Sequence, residues 1–471
     1  MMSPIPFRRG MGSSIPRLTR SNSVTRWPAL IAVLLAAACA AGPSTTTTSP
    51  ATTSTTSTTP EIVGADLILT GKVVTMTDAG VVEALAIDGG FVVAAGDIDS
   101  VMSHAGPSTR VIDLGDNFAY PGFVDAHAHW IGDRETYGVG TPEQAIDLAL
   151  SHGWTSIAEL FVDQARLDEL VALDGDGRLL LRVDGYLALN LPAPSGEHLG
   201  DWYLEYGGGG LSPSDHLRVR GVKFTIDNGW GSQVWWEAGD LLEAFTTAHD
   251  AGWQIASHTV STESHQMVLD AFEAALGGEP NLLRHRIEHG VQVTDEQLQR
   301  IADLGLVVIG HPAGLSTDSV ADPVYLENLG EDTAWLNRYR DFADAGIKFA
   351  SASDTPWIFP HLQVTPGVGR PQDLIAGGMD GRGSDGTEAP PFVEAQTLSF
   401  EQALRSVTID AAYAIGADDL RGHLTPGTYG DVTILGGDMA GASPDELRQL
   451  RVVATIVGGE ILFCDKPALC G

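Results

Sequence analysis

Positive charge is the first thing that the sequence lacks. Only four of the 471 residues are lysine, and lysine and arginine together number 27 against 61 aspartates and glutamates, so that the formal net charge is −34. A surface this acidic repels nucleic acid and anionic lipid. We therefore expect no nucleic-acid partner, and we interpret the acidity as a means of solubility outside the cell.

The apolar run at residues 27–38 is too short to cross a bilayer as a permanent helix. Five arginines precede it, and small residues end it directly before Cys39. This order is typical of a secretory signal, and the cysteine resembles a bacterial lipoprotein processing site, although Ala36 stands where leucine is usual. We expect residues 1–39 to be a signal peptide, with a lipid on Cys39 that anchors an exported protein to the cell membrane. An ordinary secreted protein is the alternative.

Cysteine is scarce, with three in the chain. Apart from Cys39 there remain Cys464 and Cys470, which lie six residues apart near the end of the sequence. In an oxidising compartment these two can close a small disulfide loop.

The remaining sequence divides by pattern. Residues 40–60 are dominated by serine and threonine and offer little apolar surface to bury, so we expect a flexible tether. Short β-rich runs follow from residue 65 and return between 431 and 463, and they predict antiparallel strands. We expect these two ends, 61–118 and 420–466, to pair into one composite β-sandwich.

Between these ends, strands alternate with helices. Four helical stretches are each followed by a glycine and an apolar strand, and a glycine just after a helix takes the left-handed conformation that ends it. Eight strands are predicted, at 123–129, 155–160, 179–187, 219–227, 254–260, 285–290, 306–311 and 348–354. This count predicts a (β/α)8 TIM barrel over residues 119–419. A dinucleotide-binding sheet is disfavoured because no glycine-rich fingerprint follows the first strand.

Metal-ligating side chains lie near the ends of several of these strands. The first strand ends in His127 and His129, which share a face because they are two residues apart. The later strands add two more imidazoles, a carboxylate and a lysine: His258, His289, Asp354 and Lys223. Chemistry in such barrels sits at the carboxyl ends of the strands, so these groups are predicted to converge on one rim as a metal site.

Several motifs resemble those of the metal-dependent amidohydrolase superfamily, in particular the branch similar to N-substituted formamide deformylases. They are Pro-Gly-Phe-Val-Asp-Ala-His-Ala-His at 121–129, Val-Lys-Phe-Thr-Ile-Asp-Asn-Gly at 222–229, Arg-His-Arg-Ile-Glu-His-Gly at 284–290, Ala-Ser-Asp at 352–354, and Gly-His-Leu-Thr-Pro-Gly-Thr-Tyr-Gly-Asp-Val-Thr-Ile-Leu at 422–435. The resemblance covers roughly residues 65–463. It implies the same composite β-sandwich beside the barrel.

The resemblance also implies a dinuclear centre with two divalent ions, of which zinc is the expected metal. His127, His129 and Asp354 would hold one ion, His258 and His289 the other, and a carboxylated Lys223 would bridge them. A hydroxide between the ions would attack an amide-like carbon–nitrogen bond. Asp354 would be the catalytic group that carries the proton to the leaving nitrogen.

Two alternatives stay open at this point. Lys223 can instead be a barrel-interior lysine paired to Asp227 or to another acid, which would leave a mononuclear enzyme of the deaminase kind. Outside the enzymes, the alternative is a surface binding lipoprotein that kept the fold and lost turnover.

The substrate is expected to be a small molecule with an apolar or ring-shaped part, because tryptophan and tyrosine crowd the loops above the barrel. Trp130 and Trp230 are candidates to line the substrate pocket. His311 either contacts substrate or is a structural histidine, and Arg370 is a candidate to bind a carboxylate. A homo-oligomer is left open.

Overall fold

The computed structural model describes residues 64–192, 195–208, 210–228, 233–312, 330–357, 369–383 and 390–470. The expected signal peptide with Cys39, the expected tether and Trp230 lie outside these residues. Within the described part of the chain, none of the helices is both long enough and apolar enough to cross a membrane.

Fifteen strands are described. They are β1 Leu67–Val74, β2 Val81–Asp88, β3 Phe91–Gly96, β4 Arg110–Pro121, β5 Phe123–Ala128, β6 Trp154–Val162, β7 Arg182–Ala188, β8 Leu217–Thr225, β9 Gln254–Thr259, β10 Arg286–His289, β11 Val307–Gly310, β12 Phe349–Ser351, β13 Val432–Leu435, β14 Val452–Val457 and β15 Glu460–Cys464.

The described α-helices are Ile98–Met102, Pro142–His152, Gln164–Gly175, Ala238–Asp250, Thr262–Leu276, Asp295–Asp303, Tyr339–Asp344, Pro371–Asp380, Pro391–Glu394, Phe400–Ser406, Ile409–Ala414, Pro444–Gln449 and Pro467–Cys470. Short 3-10 turns occupy Arg134–Tyr137, Trp202–Tyr206 and Gly330–Trp335.

The two chain ends form one seven-stranded mixed sheet in the order β15-β14-β13-β4-β1-β2-β3. The predicted composite β domain is therefore confirmed. The expectation that its first strands are all antiparallel is wrong, because β1 and β4 run parallel. A parallel neighbour needs a crossover connection, and the segment with helix Ile98–Met102 supplies it by returning the chain beside β1.

The other eight strands, β5 to β12, form a parallel sheet in sequence order, each beside the next. The predicted (β/α)8 barrel is confirmed, with every predicted strand within a few residues of an observed one. The glycines at the helix ends behave as predicted: Gly153, Gly252, Gly305 and Gly346 all have positive φ, between 62° and 96°. Each reverses the chain from a helix into the following strand.

The sheet and the barrel meet at a buried ion pair. Arg182, at the start of β7, donates from Nε and Nη2 to the Asp431 carboxylate, at 2.7 and 2.9 Å, and its guanidinium lies over the Tyr429 ring. Near the end of the chain, the structure joins Cys464 and Cys470 in a disulfide.

Candidate metal centre

The site begins where the first and last barrel strands meet. The Asp354 main-chain N–H donates to the His127 carbonyl at 2.9 Å, and the His129 N–H donates to the Thr355 carbonyl at 2.8 Å. Asp125, inside β5, accepts from the main-chain N–H and the hydroxyl of Ser353, at 2.9 and 2.5 Å. The hydrogen bonds that join β5 to the segment after β12 thus also fix the backbone of the three predicted ligands.

The structure brings His127, His129 and Asp354 together as a buried group. Asp354 Oδ1 lies 3.4 Å from His127 Nε2 and 3.3 Å from His129 Nε2, and the ligand atoms of the three residues are within 4.8 Å of one another. Asp354 has φ 47°, in the left-handed region that side chains rarely adopt. Such strain persists only where the surroundings impose it, and it clusters at functional sites.

Hydrogen bonds at the far side of each ring determine which nitrogen faces the group. His127 Nδ1 meets Glu288 Oε2 at 2.5 Å, and His129 Nδ1 meets the Leu160 carbonyl at 3.1 Å. Both partners are acceptors, so each Nδ1 carries the hydrogen and each neutral ring has an unprotonated Nε2. Two nitrogen lone pairs and a carboxylate then face each other without a donor, an arrangement that a cation stabilises.

The pKa of His129 also indicates that this group of side chains favours a positive charge. Burial lowers the pKa of this imidazole, but the carboxylates of Asp354, Asp133 and Glu159 together outweigh burial and raise it above the ordinary value. For His127, burial dominates and Lys223 adds to it, so that its pKa lies well below the ordinary value.

Glu288 is a site residue that the sequence analysis missed. It holds the His127 ring and is itself bound by the fully buried Arg286, whose Nε and Nη2 lie 2.5 and 2.7 Å from its two oxygens. A further guanidinium bond reaches the Ala126 carbonyl at 2.7 Å. Partners of metal-ligating histidines fix the ring orientation and raise its basicity as a ligand.

A second buried group lies beside the first and contains the other three predicted ligands. Among the described residues, Lys223 Nζ, His258 Nε2 and His289 Nε2 have no hydrogen-bond partner. An unpartnered buried polar atom is costly, and three in one place indicate a ligand that the polypeptide does not supply. Imidazole nitrogens are donors that zinc accepts, so the two histidines fit a divalent metal centre.

His311 completes this second group through His289. Its Nδ1 donates to the Ala352 carbonyl at 3.0 Å, which leaves Nε2 as an acceptor 2.9 Å from His289 Nδ1. His289 therefore carries its hydrogen on Nδ1 and presents an unprotonated Nε2. The structure thus places His311 behind a predicted ligand and within 4.8 Å of His127 and His289 by their ligand atoms.

Lys223 is buried and loses charge easily. Burial lowers the pKa of its amine to about 8, although Glu288 and Asp354 oppose the shift. The alternative of a Lys223–Asp227 pair finds no support, because Asp227 accepts instead from Val260, Ser261 and Ser264.

Two of the predicted substrate contacts lie elsewhere. Trp130 is 1% exposed, and its Nε1 donates to Asp125 at 3.0 Å, so it packs in the core. The prediction for Arg370 is wrong for a related reason: its guanidinium is committed to Asp373 and to the carbonyls of Arg448 and Leu450. Trp357, by contrast, is 53% exposed and lies edge-on to His129, with 6.5 Å between ring centroids.

The fold and the site together define a metal-dependent hydrolase of the TIM-barrel type. The amidohydrolase family model matches residues 133–463, and the chain belongs to this family.

Individual relatives are distant. The N-substituted formamide deformylase of Arthrobacter pascens is 28% identical over 220 residues, which are 46% of this chain and 38% of the relative. Imidazolonepropionase of Symbiobacterium thermophilum is 27% identical over 390 residues, 76% of this chain and 85% of the relative. The match to the deformylase thus spans less than half of that relative's length.

Solved structures share the fold at low identity. An uncharacterised metal-dependent hydrolase of Pyrococcus horikoshii has a TM-score of 0.66 at 18% identity, covering 80% of this chain and 99% of that one. The zinc complex of atrazine chlorohydrolase from Arthrobacter aurescens has a TM-score of 0.57 at 18% identity, covering 84% and 94%.

Proposed function

We propose that this protein hydrolyses an amide-like carbon–nitrogen bond of a small molecule at a dinuclear metal centre, with zinc as the expected metal. The observation that carries the proposal is that two buried groups of side chains lie side by side. One combines imidazole nitrogens with a carboxylate, and the other combines imidazole nitrogens with an amine that has no hydrogen-bond partner among the described residues. His127, His129 and Asp354 would hold one ion, and His258, His289 and Lys223 the other. Bound divalent ions lower the pKa of water and polarise a carbonyl oxygen.

Lys223 takes part as a carbamate. With a pKa of about 8, part of the amine is uncharged near neutral pH and can attack carbon dioxide. The new N–C bond yields a carbamate and releases one proton, and the carbamate oxygens would serve as the metal ligands in place of the amine. The position of Nζ supports this assignment, since it has no hydrogen-bond partner among the residues that the structure describes.

Asp354 moves the proton. It is buried, and its carboxylate faces His127 and His129 at the point where the first and last strands meet. It takes a proton from the attacking water and returns it to the leaving nitrogen, so that the amine departs neutral. His127 and His129 keep their Nε2 atoms unprotonated through Glu288 and the Leu160 carbonyl during this transfer.

The test combines metal content with catalysis. Protein purified in the presence of bicarbonate and zinc should contain two ions per chain, carry a carboxylated lysine in crystallographic density, and release amine from simple N-acyl compounds. One ion and an unmodified lysine would support the mononuclear deaminase instead. A chain without metal or turnover would support the binding lipoprotein.

Export and lipid anchoring form a separate proposal that rests on the sequence of residues 1–60. A lipid on Cys39 followed by a tether would hold the hydrolase outside the cell at the membrane surface. The disulfide between Cys464 and Cys470 supports an oxidising compartment.

A further inference from the structure

We propose that the site selects substrates by charge: it accepts neutral and cationic amides and discriminates against those with a carboxylate away from the scissile bond. This inference rests on the proposed hydrolytic function. It names the class of substrate that the rim of the barrel admits.

Eight connections leave the carboxyl ends of the barrel strands. Counted to the next α-helix, but ending at residue 166 after β6 and at residue 206 after β7, these are 129–141, 163–166, 189–206, 226–237, 260–261, 290–294, 311–338 and 352–370. Their sequences contain fourteen aspartates and glutamates but only four arginines and no lysine. These totals of acidic and basic residues include the stretches of the connections that lie outside the described residues.

Each of the four arginines already has an acidic partner. Arg134 binds Glu169 through two hydrogen bonds of 2.9 Å. Arg166 binds Asp133 at 2.5 Å, and Arg338 binds Asp341 at 2.7 Å. Arg370 binds Asp373 at 2.8 Å and faces the chain-end segment instead of the site.

A substrate carboxylate would therefore find no available guanidinium or ammonium group in these connections. Recognition of a carboxylate depends on such a partner, because the anion otherwise gives up its hydration without compensation. Bound ions would add positive charge at the scissile carbonyl, but the part of the substrate away from that bond would gain no such partner from the connections.

Trp357 adds a favourable contact for the opposite charge. Its ring is half exposed beside His129, and its Nε1 donates to Asp133 at 2.9 Å, which fixes the indole next to a carboxylate. An indole face attracts cations and apolar rings. Neutral aromatic and cationic amides both fit this surface.

The test uses three substrates with the same scissile bond. They are the N-benzylformamides that carry a carboxylate, a carboxamide or an aminomethyl group at the para position, and kcat/KM is measured on metal-loaded protein at low and high salt. We expect the carboxylate to be slower than the carboxamide by about tenfold or more, within the range of electrostatic effects on association. The cationic compound should match or exceed the neutral one at low salt and lose that advantage at high salt.

A pair of variants with equal charge changes makes the test specific. Glu135→Lys places an ammonium group on an exposed position of the first connection, and Asp78→Lys makes the same change on the exposed turn between β1 and β2. Glu135→Lys should reduce the penalty on the carboxylate several-fold, whereas Asp78→Lys should not. Equal rates for the three substrates, or a preference for the carboxylate, would overturn the inference.

Binding separates this inference from the proposed function. Calorimetry with the matching para-substituted benzylamines reports charge preference without turnover. If no compound is hydrolysed but the benzylamines bind in the expected order, hydrolysis of these amides is wrong and the charge selection stands. If the amides are hydrolysed and the carboxylate is preferred, hydrolysis stands and the charge selection is wrong. Equal binding of all three benzylamines also overturns the charge selection.

Discussion

Replacing His311 by leucine should weaken the second metal position and leave the first intact. In the wild-type chain, His311 Nε2 accepts from His289 Nδ1 at 2.9 Å, which keeps His289 Nε2 unprotonated. Leucine removes the acceptor, so that the His289 N–H is left buried without a partner or the hydrogen moves to Nε2. Loss of such a partner typically lowers metal affinity about 10–100-fold, or about 1.4–2.7 kcal/mol.

The assay measures zinc bound per chain over a range of chelator-buffered zinc concentrations. One uptake step should keep its wild-type midpoint, since His127, His129 and Asp354 keep their contacts. The midpoint of the other step should move to a zinc concentration about 10–100-fold higher. His311→Gln is the matched rescue, because its amide can donate to the Ala352 carbonyl and accept from His289. It should restore most of the lost affinity.

His152→Leu controls for the loss of a buried imidazole. His152 is 8% exposed, and among the described residues its Nδ1 has no hydrogen-bond partner. This variant should bind zinc like the wild type. The reasoning would be refuted by a folded His311→Leu protein with two unchanged uptake steps, or by His311→Gln behaving as poorly as His311→Leu.

Four further predictions follow from other parts of the chain. Asp354→Asn should abolish amide hydrolysis with an unchanged circular dichroism spectrum, and a near-normal rate would exclude its role in proton transfer. Arg182→Met should lower the free energy of unfolding in urea by about 3–5 kcal/mol, because Asp431 stays buried without its partner; a change below 1 kcal/mol would contradict this. Burial lowers the pKa of His285 to about 3, so its contribution to stability is complete above its unfolded pKa and falls as pH drops toward 3. The free energy of unfolding in urea should therefore fall between pH 7 and pH 4, and this fall should be smaller in His285→Gln. Cys39→Ala should move the protein from the membrane fraction to the medium, and unchanged fractionation would argue against the lipid.

The barrel and its glycine junctions could be predicted from sequence because both depend on local pattern. Apolar strands and helix-ending glycines such as Gly153 and Gly252 are visible within a few residues. The pairing of β1 with β4 could not be predicted from the sequence, because it depends on where the chain returns after β3. Strand alternation identifies which residues share a face but not which strand lies beside which.

The site shows the same division. His127 and His129 were predictable from their spacing, whereas their supporting contacts come from residues far away in sequence. Glu288 lies 161 positions from His127. Adjacent residues of a regular strand face opposite sides, so a pattern that places His289 at the site does not predict Glu288 there. His289 has φ 73°, so the strand ends there and both side chains reach the site.

Closure of the barrel and assembly of the first ligand group depend on the same contacts. The main-chain bonds at His127 and His129 join β5 to the segment after β12, and Asp125 ties this seam to Ser353. Asp354 raises the pKa of His129, so this group of side chains favours a positive charge. A bound ion would supply that charge where the first and last strands meet. Metal binding would then stabilise the closed barrel itself, because an ion that binds only the folded chain shifts the folding equilibrium toward it.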